Sequence, residues 1–208
     1  MEKDYATEAD RKLRWAGILE YPIISRVIRQ CLDGFKIESL SRIISPYPLE
    51  EVLDVCCGTG EYSRLGKWKY TGLDNSHSFI EYAQRKYKYC RFVQGDAMQM
   101  PFGDNTFDAV LFACASHHFP EEAFGAILEE MRRISRKYII VDNAVTSESQ
   151  GLISTFMYGL DRGTMYRTAD HIEQILQKLT DAEIIQKETY RSFPGIYLHA
   201  VFILEIII

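Results

Sequence analysis

Asp54, Gly58, Gly60 and Asp74 are the residues of this chain whose types and spacing could do chemistry. The run Val52-Leu53-Asp54-Val55-Cys56-Cys57-Gly58-Thr59-Gly60 is an apolar stretch entering a glycine turn, and a second apolar stretch ends at Asp74. Glycines at such a turn let the backbone approach a ligand closely, and an acid closing the next strand can accept hydrogen bonds from both ribose hydroxyls. The pattern predicts a strand, a short helix and a second strand that together bind an adenosine-containing small molecule.

The local charges narrow the ligand. A dinucleotide site places a third glycine where the helix begins, so that a pyrophosphate can sit on the helix N-terminus. Here the three glycine slots hold Cys56, Gly58 and Glu61, and counting from Gly58 instead ends at Ser63. A carboxylate at Glu61 would repel a pyrophosphate, which disfavours a nicotinamide-dependent oxidoreductase. A ligand with a positive group near the loop suits Asp54 and Glu61 better. S-adenosylmethionine carries an ammonium and a sulfonium and no phosphate.

At this point the sequence resembles the class I S-adenosylmethionine-dependent methyltransferases. Asp54 through Gly60 resemble the first motif of that family, and Gly72-Leu73-Asp74 the second. Gln94-Gly95-Asp96-Ala97, followed by Pro101-Phe102-Gly103-Asp104-Asn105-Thr106-Phe107-Asp108, resembles the third motif and the approach to the fourth strand. Ala115-Ser116-His117-His118-Phe119 is similar to the stretch after that strand in the small-molecule group called type 11. The likeness spans residues 50–143 and, more loosely, 168–208. Cys56 stands where the family usually has its first glycine, and Asn75 where an apolar residue commonly covers the adenine. The resemblance implies that Asp54, Cys56, Gly58, Gly60, Asp74, Asn75, Asp96, Ala97 and Cys114 bind the cofactor. In that scheme Gly58 and Gly60 open the loop for the methionine portion and Asp74 takes the ribose. Asp96 accepts from the adenine amino group beside the Ala97 amide.

Such a site needs a sheet to carry it. Strands are expected at Glu51–Cys56, Tyr70–Leu73, Arg91–Gln94, Ala109–Cys114 and Tyr138–Val141, alternating with helices at Ser76–Tyr87 and Glu121–Ile134. Ser76 is a natural N-cap. A helix from Ala169 to Leu179, a strand from Glu183 to Thr189, the turn Pro194-Gly195 and a final apolar strand follow. The alternation predicts an α/β, Rossmann-like, mostly parallel sheet with helices on both faces. The resemblance adds that the sheet has seven strands, the last antiparallel. Apolar residues recur at helical spacing from Tyr5 to about Ile44, predicting an N-terminal helical cap. The reading is one domain over 1–208: a cap at 1–48, a cofactor-binding core at 49–143, and a substrate-side segment with a C-terminal hairpin at 144–208. Residues 144–167 read as irregular.

Composition fits a compact enzyme. The 208 residues are 47% hydrophobic and 25% charged, with a net charge of −5 that offers no broad attraction to nucleic acid or an anionic membrane. The five cysteines, an odd number without framework spacing, and the absence of a signal peptide lead to an expected cytoplasmic location. The apolar C-terminal run falls short of the about 20 residues that cross a bilayer.

A sulfonium is an activated donor, so methyl transfer asks the protein mainly for in-line positioning. A base is needed where the acceptor is protonated, and His117 and His118 are the candidates; the competing role for both is to orient their loop. Cys56, Cys57, His117 and His118 have no common zinc spacing, so no metal is expected. Aromatic residues Tyr5, Trp15 and Tyr21, with Arg14 and the 144–167 segment, are candidates to shape the acceptor pocket. The function expected is transfer of a methyl group to a small-molecule acceptor. The alternatives are a catalytically degenerate cofactor-binding module and a protein or RNA methyltransferase.

Overall fold

The computed structural model describes residues 36–146, 165–179, 181–192 and 197–207. The expected helices before Lys36, with Tyr5, Arg14, Trp15 and Tyr21, lie outside the described residues, as do residues 147–164 and the Pro194-Gly195 turn. Helix α1 (Lys36–Ile44) is the described part of the N-terminal cap. The chain continues through β1 (Glu51–Val55), β2 (Lys69–Asp74), α2 (His77–Lys86), β3 (Arg91–Gln94), β4 (Phe107–Ala113), α3 (Glu121–Ile134) and β5 (Ser135–Val145). Helix α4 (Ala169–Leu176) and strands β6 (Ala182–Arg191) and β7 (Leu198–Ile206) complete it.

The seven strands form one sheet in the order β3-β2-β1-β4-β5-β7-β6. Strands β1 to β5 pair in parallel, and β7 runs antiparallel to both β5 and β6. Strand order therefore reverses between β1 and β4, where open α/β sheets form a ligand crevice beyond their carboxyl ends.

Two apolar faces hold the sheet. Phe124, Ile127, Leu128, Met131 and Ile134 recur at helical spacing on α3 and pack, with Ile172, Ile175 and Leu176 of α4, against Leu53, Val55, Val110 and Phe112. The other face is covered by Leu40, Ile43 and Ile44 of α1 and by Ile80 and Ala83 of α2, over Val52, Leu111 and Ile140. Alternation along β1 sends its residues to opposite faces, which fixes the register. Ser76 caps α2 as its sequence indicated, its hydroxyl accepting from the Phe79 amide.

Three local expectations need correction. The helix expected after the glycine turn is only a 3-10 turn, Glu61–Arg64. Helix α4 ends at Leu176, before the expected Leu179. Strand β5 is far longer than Tyr138–Val141 and runs through Ala144 and Val145, residues expected to be irregular, so the boundary at 143/144 falls inside a strand. Arg136 and Lys137 before the apolar run, and Asp142 and Asn143 after it, hid its length; the two latter are fully buried by pairing with β7.

Candidate cofactor crevice and a buried polar cluster

The loop after β1 is built from alternating left-handed residues: Cys56, Gly58 and Gly60 have φ of 60°, 53° and 77°. A Cβ on Gly60 would lie 2.7 Å from the Phe92 ring, so space as well as backbone angle requires glycine there. Cys56 adopts the same conformation with a side chain, at a cost of about 1–2 kcal/mol. Burial, reinforced by Asp74, Asp54 and Asp96, pushes its thiol well above the usual range, so this position is uncharged near neutrality. The loop is latched to β2 by the Cys57 amide, which donates to the Leu73 carbonyl at 2.9 Å.

Asp74 organises the crevice. One carboxylate oxygen accepts from the Gly58 amide at 2.8 Å and the other from the Ser76 amide at 2.9 Å. A carboxylate has about four acceptor sites, so Asp74 can hold the loop and still receive ribose hydroxyls. Asp54, one strand over and buried, accepts from the Tyr70 hydroxyl. Its carboxylate braces β1 against β2 behind the loop.

Glu61 plays a different part from the one its position in the sequence predicts. It pairs with Lys86 at 2.9 Å and with Arg64 at 3.3 Å, so its charge is already balanced. What disfavours a pyrophosphate here is the missing helix: a four-residue 3-10 turn offers no helix N-terminus of useful length.

On the far side of Asp74 lie the residues expected at the adenine. Asn75 is exposed, and its carbonyl accepts from the Gln94 side chain at 3.1 Å. Asp96 is exposed and folds back on the Met98 amide at 2.9 Å, capping a turn, while Ala97 is buried beside it. Arg133 of α3 clamps the following loop. It donates to Asp104 at 2.7 Å and to the Phe102 carbonyl at 2.9 Å, and pairs with Glu130, which accepts from the Met100 amide at 2.8 Å.

At the carboxyl end of β4, Cys114 has φ 52° and precedes the 3-10 turn Ser116–His118. His117 is buried and stacks on Tyr166, with ring centroids 4.7 Å apart, while His118 is exposed and leans on His117. Arg167, itself buried, holds this turn by donating to the Ser116 carbonyl at 2.9 Å and the Phe119 carbonyl at 2.8 Å.

Beside Cys114 lies a cluster that sequence reasoning missed. Its thiol receives the Lys36 ammonium and lies 3.8 Å from His199 Nδ1, which bonds Asp142 at 3.2 Å. The other Asp142 oxygen accepts from the Tyr190 hydroxyl at 2.9 Å, and the Tyr190 ring stacks on His199. Lys36, Asp142 and His199 are each at most 1% exposed. Burial would lower the His199 pKa, but the neighbouring Cys114 and Asp142 outweigh it and raise it to about 9. Burial likewise opposes ionisation of Asp142, yet His199, then Lys36 and the Tyr190 hydroxyl, hold its carboxyl below the usual range. The one sequence signal was Asp142 at the end of an apolar run, the position that Asp74 also holds. His199, alone in an apolar strand, gave none.

With this geometry in place, the relatives can be set beside it. Residues 52–137 match the family described as a methyltransferase domain. The chain is 32% identical over 123 residues to a demethylmenaquinone methyltransferase of Thermotoga maritima, covering 57% of this chain and 53% of that one. It is 39% identical over 94 residues to a probable phthiotriol/phenolphthiotriol dimycocerosates methyltransferase of Mycobacterium ulcerans, covering 42% and 36%. The chain thus spans about half or less of the length of these curated relatives. The crystal structure of a magnesium protoporphyrin IX methyltransferase from Synechocystis with bound S-adenosylhomocysteine superposes with a TM-score of 0.66 at 20% identity, over 82% of both chains. Sheet order and glycine loop agree with that match: residues 52–137 are similar to the class I methyltransferase domains. Among the described residues, no helix is long and apolar enough to cross a membrane.

Proposed function

We propose that the chain transfers a methyl group from S-adenosylmethionine to a small-molecule acceptor and releases S-adenosylhomocysteine. The observation that carries this reading is the latch between Asp74 and the Gly58 amide at the strand-order reversal, which joins a ribose-binding acid to a glycine loop shaped for close approach. The residues fit the cofactor: the space at Gly60 excludes a side chain, and Asp74 keeps acceptor capacity after bonding two amides. When bound, the sulfonium supplies an activated methyl.

The chain's own residues do the rest. Gly58 and Gly60 receive the methionine portion, with Asp54 and Cys56 behind them. Asp74 and Asn75 hold the ribose, Asp96 and Ala97 hold the adenine, and Cys114 borders the methyl. His117 and His118 are the bases available to a protonated acceptor, His118 exposed and His117 buried with its ring tilted against it. The 208 residues act as one domain in a cytoplasmic setting, a placement supported by the free thiols at Cys56, Cys57, Cys90 and Cys114. A small acceptor is favoured by the net charge of −5, which does not attract RNA.

Calorimetric titration with S-adenosylmethionine, S-adenosylhomocysteine and NAD tests the reading. Micromolar binding of the first two without the third is expected; NAD binding alone would overturn it. The strained Cys56 favours a second reading, a binding module without turnover. Methyl transfer to any acceptor by the wild type, lowered in His118→Ala with cofactor affinity intact, would remove it.

A further inference from the structure

The cluster beside the crevice shares only Cys114 with the proposed cofactor site; its other donors, Asp142 and His199, have no part in holding the cofactor. We propose that Cys114, Asp142 and His199 form a binding site for a borderline divalent cation, Zn2+ being the best match. A sulfur, an imidazole nitrogen and a carboxylate oxygen, brought together from the ends of β4, β5 and β7, lie within 4.8 Å of one another. This mixed donor set suits zinc rather than magnesium or calcium, which take oxygen ligands.

Two of the three donor separations are close to what the ion requires. Tetrahedral zinc with bonds of about 2.3 Å to sulfur and about 2.1 Å to nitrogen and oxygen implies edges of about 3.6 Å (S to N) and about 3.4 Å (N to O). The observed separations are 3.8 Å from Cys114 Sγ to His199 Nδ1 and 3.2 Å from that nitrogen to Asp142 Oδ1. The surroundings are also those of a metal site. Tyr190 fixes the free oxygen of Asp142 and stacks on the imidazole, the kind of outer support that orients ligands. His199 Nε2 is buried with no hydrogen-bond partner among the described residues.

A cation already stands against the sulfur. The Lys36 ammonium contacts Cys114 Sγ and lies over the Tyr62 ring at 5.2 Å, balancing Asp142 in the absence of an ion. Metal binding replaces that balance: the thiol proton and the Nδ1 proton of His199 both leave to solvent, the imidazole binds as the neutral ring, and thiolate and carboxylate together neutralise a divalent charge. Lys36 therefore competes with the metal. Three protein donors leave a fourth position open, the arrangement in which zinc binds and deprotonates a thiol or hydroxyl. Use of that position by a methyl acceptor rests on the methyltransferase reading; the metal site itself does not.

Cobalt(II), which reports thiolate ligation by a charge-transfer absorption, is the probe for the purified full chain, with Zn2+ displacing it. One saturable equivalent is expected. Cys114→Ser should abolish the band, Asp142→Asn should weaken binding by about a hundredfold, and Lys36→Met should tighten it by about tenfold. Absence of the band, its survival in Cys114→Ser, or a Lys36→Met variant that binds no tighter than wild type would each overturn the site. Titration of the same samples with S-adenosylhomocysteine reads the cofactor crevice separately.

Discussion

The two halves of the sheet use buried acids in opposite ways. In the β3-β2-β1 half, Asp74 is satisfied by backbone amides only two and sixteen positions away, so its partners are set by local chain geometry. In the β5-β7-β6 half, Asp142 is satisfied by Tyr190 and His199, which are 48 and 57 positions away and arrive through antiparallel pairing. The first acid organises a loop; the second ties three strands and α1 together. Local satisfaction suits binding, because a carboxylate with backbone partners keeps acceptor capacity to spare. Long-range satisfaction suits stability, because every partner is lost when the strands separate.

Asp142→Ala breaks the comparison hardest. It strands a buried imidazole and ammonium without their counter-charge and should lower unfolding stability by about 3–5 kcal/mol, read by denaturant titration. Asp74→Ala should instead leave stability within about 1 kcal/mol of wild type while weakening S-adenosylhomocysteine by tenfold or more, since charge-assisted bonds are lost. Equal stability losses in both variants would erase the distinction drawn here. Cys56→Gly should stabilise the protein by about 0.5–1 kcal/mol, the left-handed strain relieved minus the entropy glycine adds to the unfolded chain. It also restores the residue usual in this family, so cofactor affinity should not fall.

The smallest effect concerns pH. The Glu130 carboxyl is lowered below its usual range by hydrogen bonds from Arg133, burial opposing, and by the Met100 amide. A lowered carboxyl contributes stability above its unfolded pKa of about 4.5 and loses it as pH falls through the folded value. Protection of residues 98–106 against amide exchange, taken relative to the intrinsic rate at each pH, should therefore fall below about pH 4.5 before that of the rest of the sheet. Uniform protection across that range would show that the Arg133 clamp does not hold the loop.

The same contrast explains what could be read from the chain. Strand β3 and helix α3 were legible to the residue because periodicity and flanking turns are local signals. The glycine turn at Gly58 and Gly60 and the acid ending β2 at Asp74 were legible because both signals sit close together in sequence. Glu61 was misjudged, since its partner Lys86 comes from the next helix and neutralises a charge that looked free. Strand β5 was cut short because Asp142 and Asn143 look like a solvent-facing end until β7 covers them. The Lys36, Cys114, Asp142, Tyr190 and His199 cluster was invisible for the same reason, its members being assembled only by the sheet.

The segment that follows β5 returns to a fixed address. The Thr146 amide donates to the Arg167 carbonyl at 3.1 Å, Thr146 bridges Thr168, and Arg167 then grips the turn after β4. The two ends of the intervening stretch are thereby pinned side by side on the rigid sheet, as a cartridge is held by its rim. The closure entropy of such a stretch rises only with the logarithm of its length. Insertions between the Thr146 and Arg167 anchors therefore cost little in closure entropy and leave Asp74 and the glycine loop untouched.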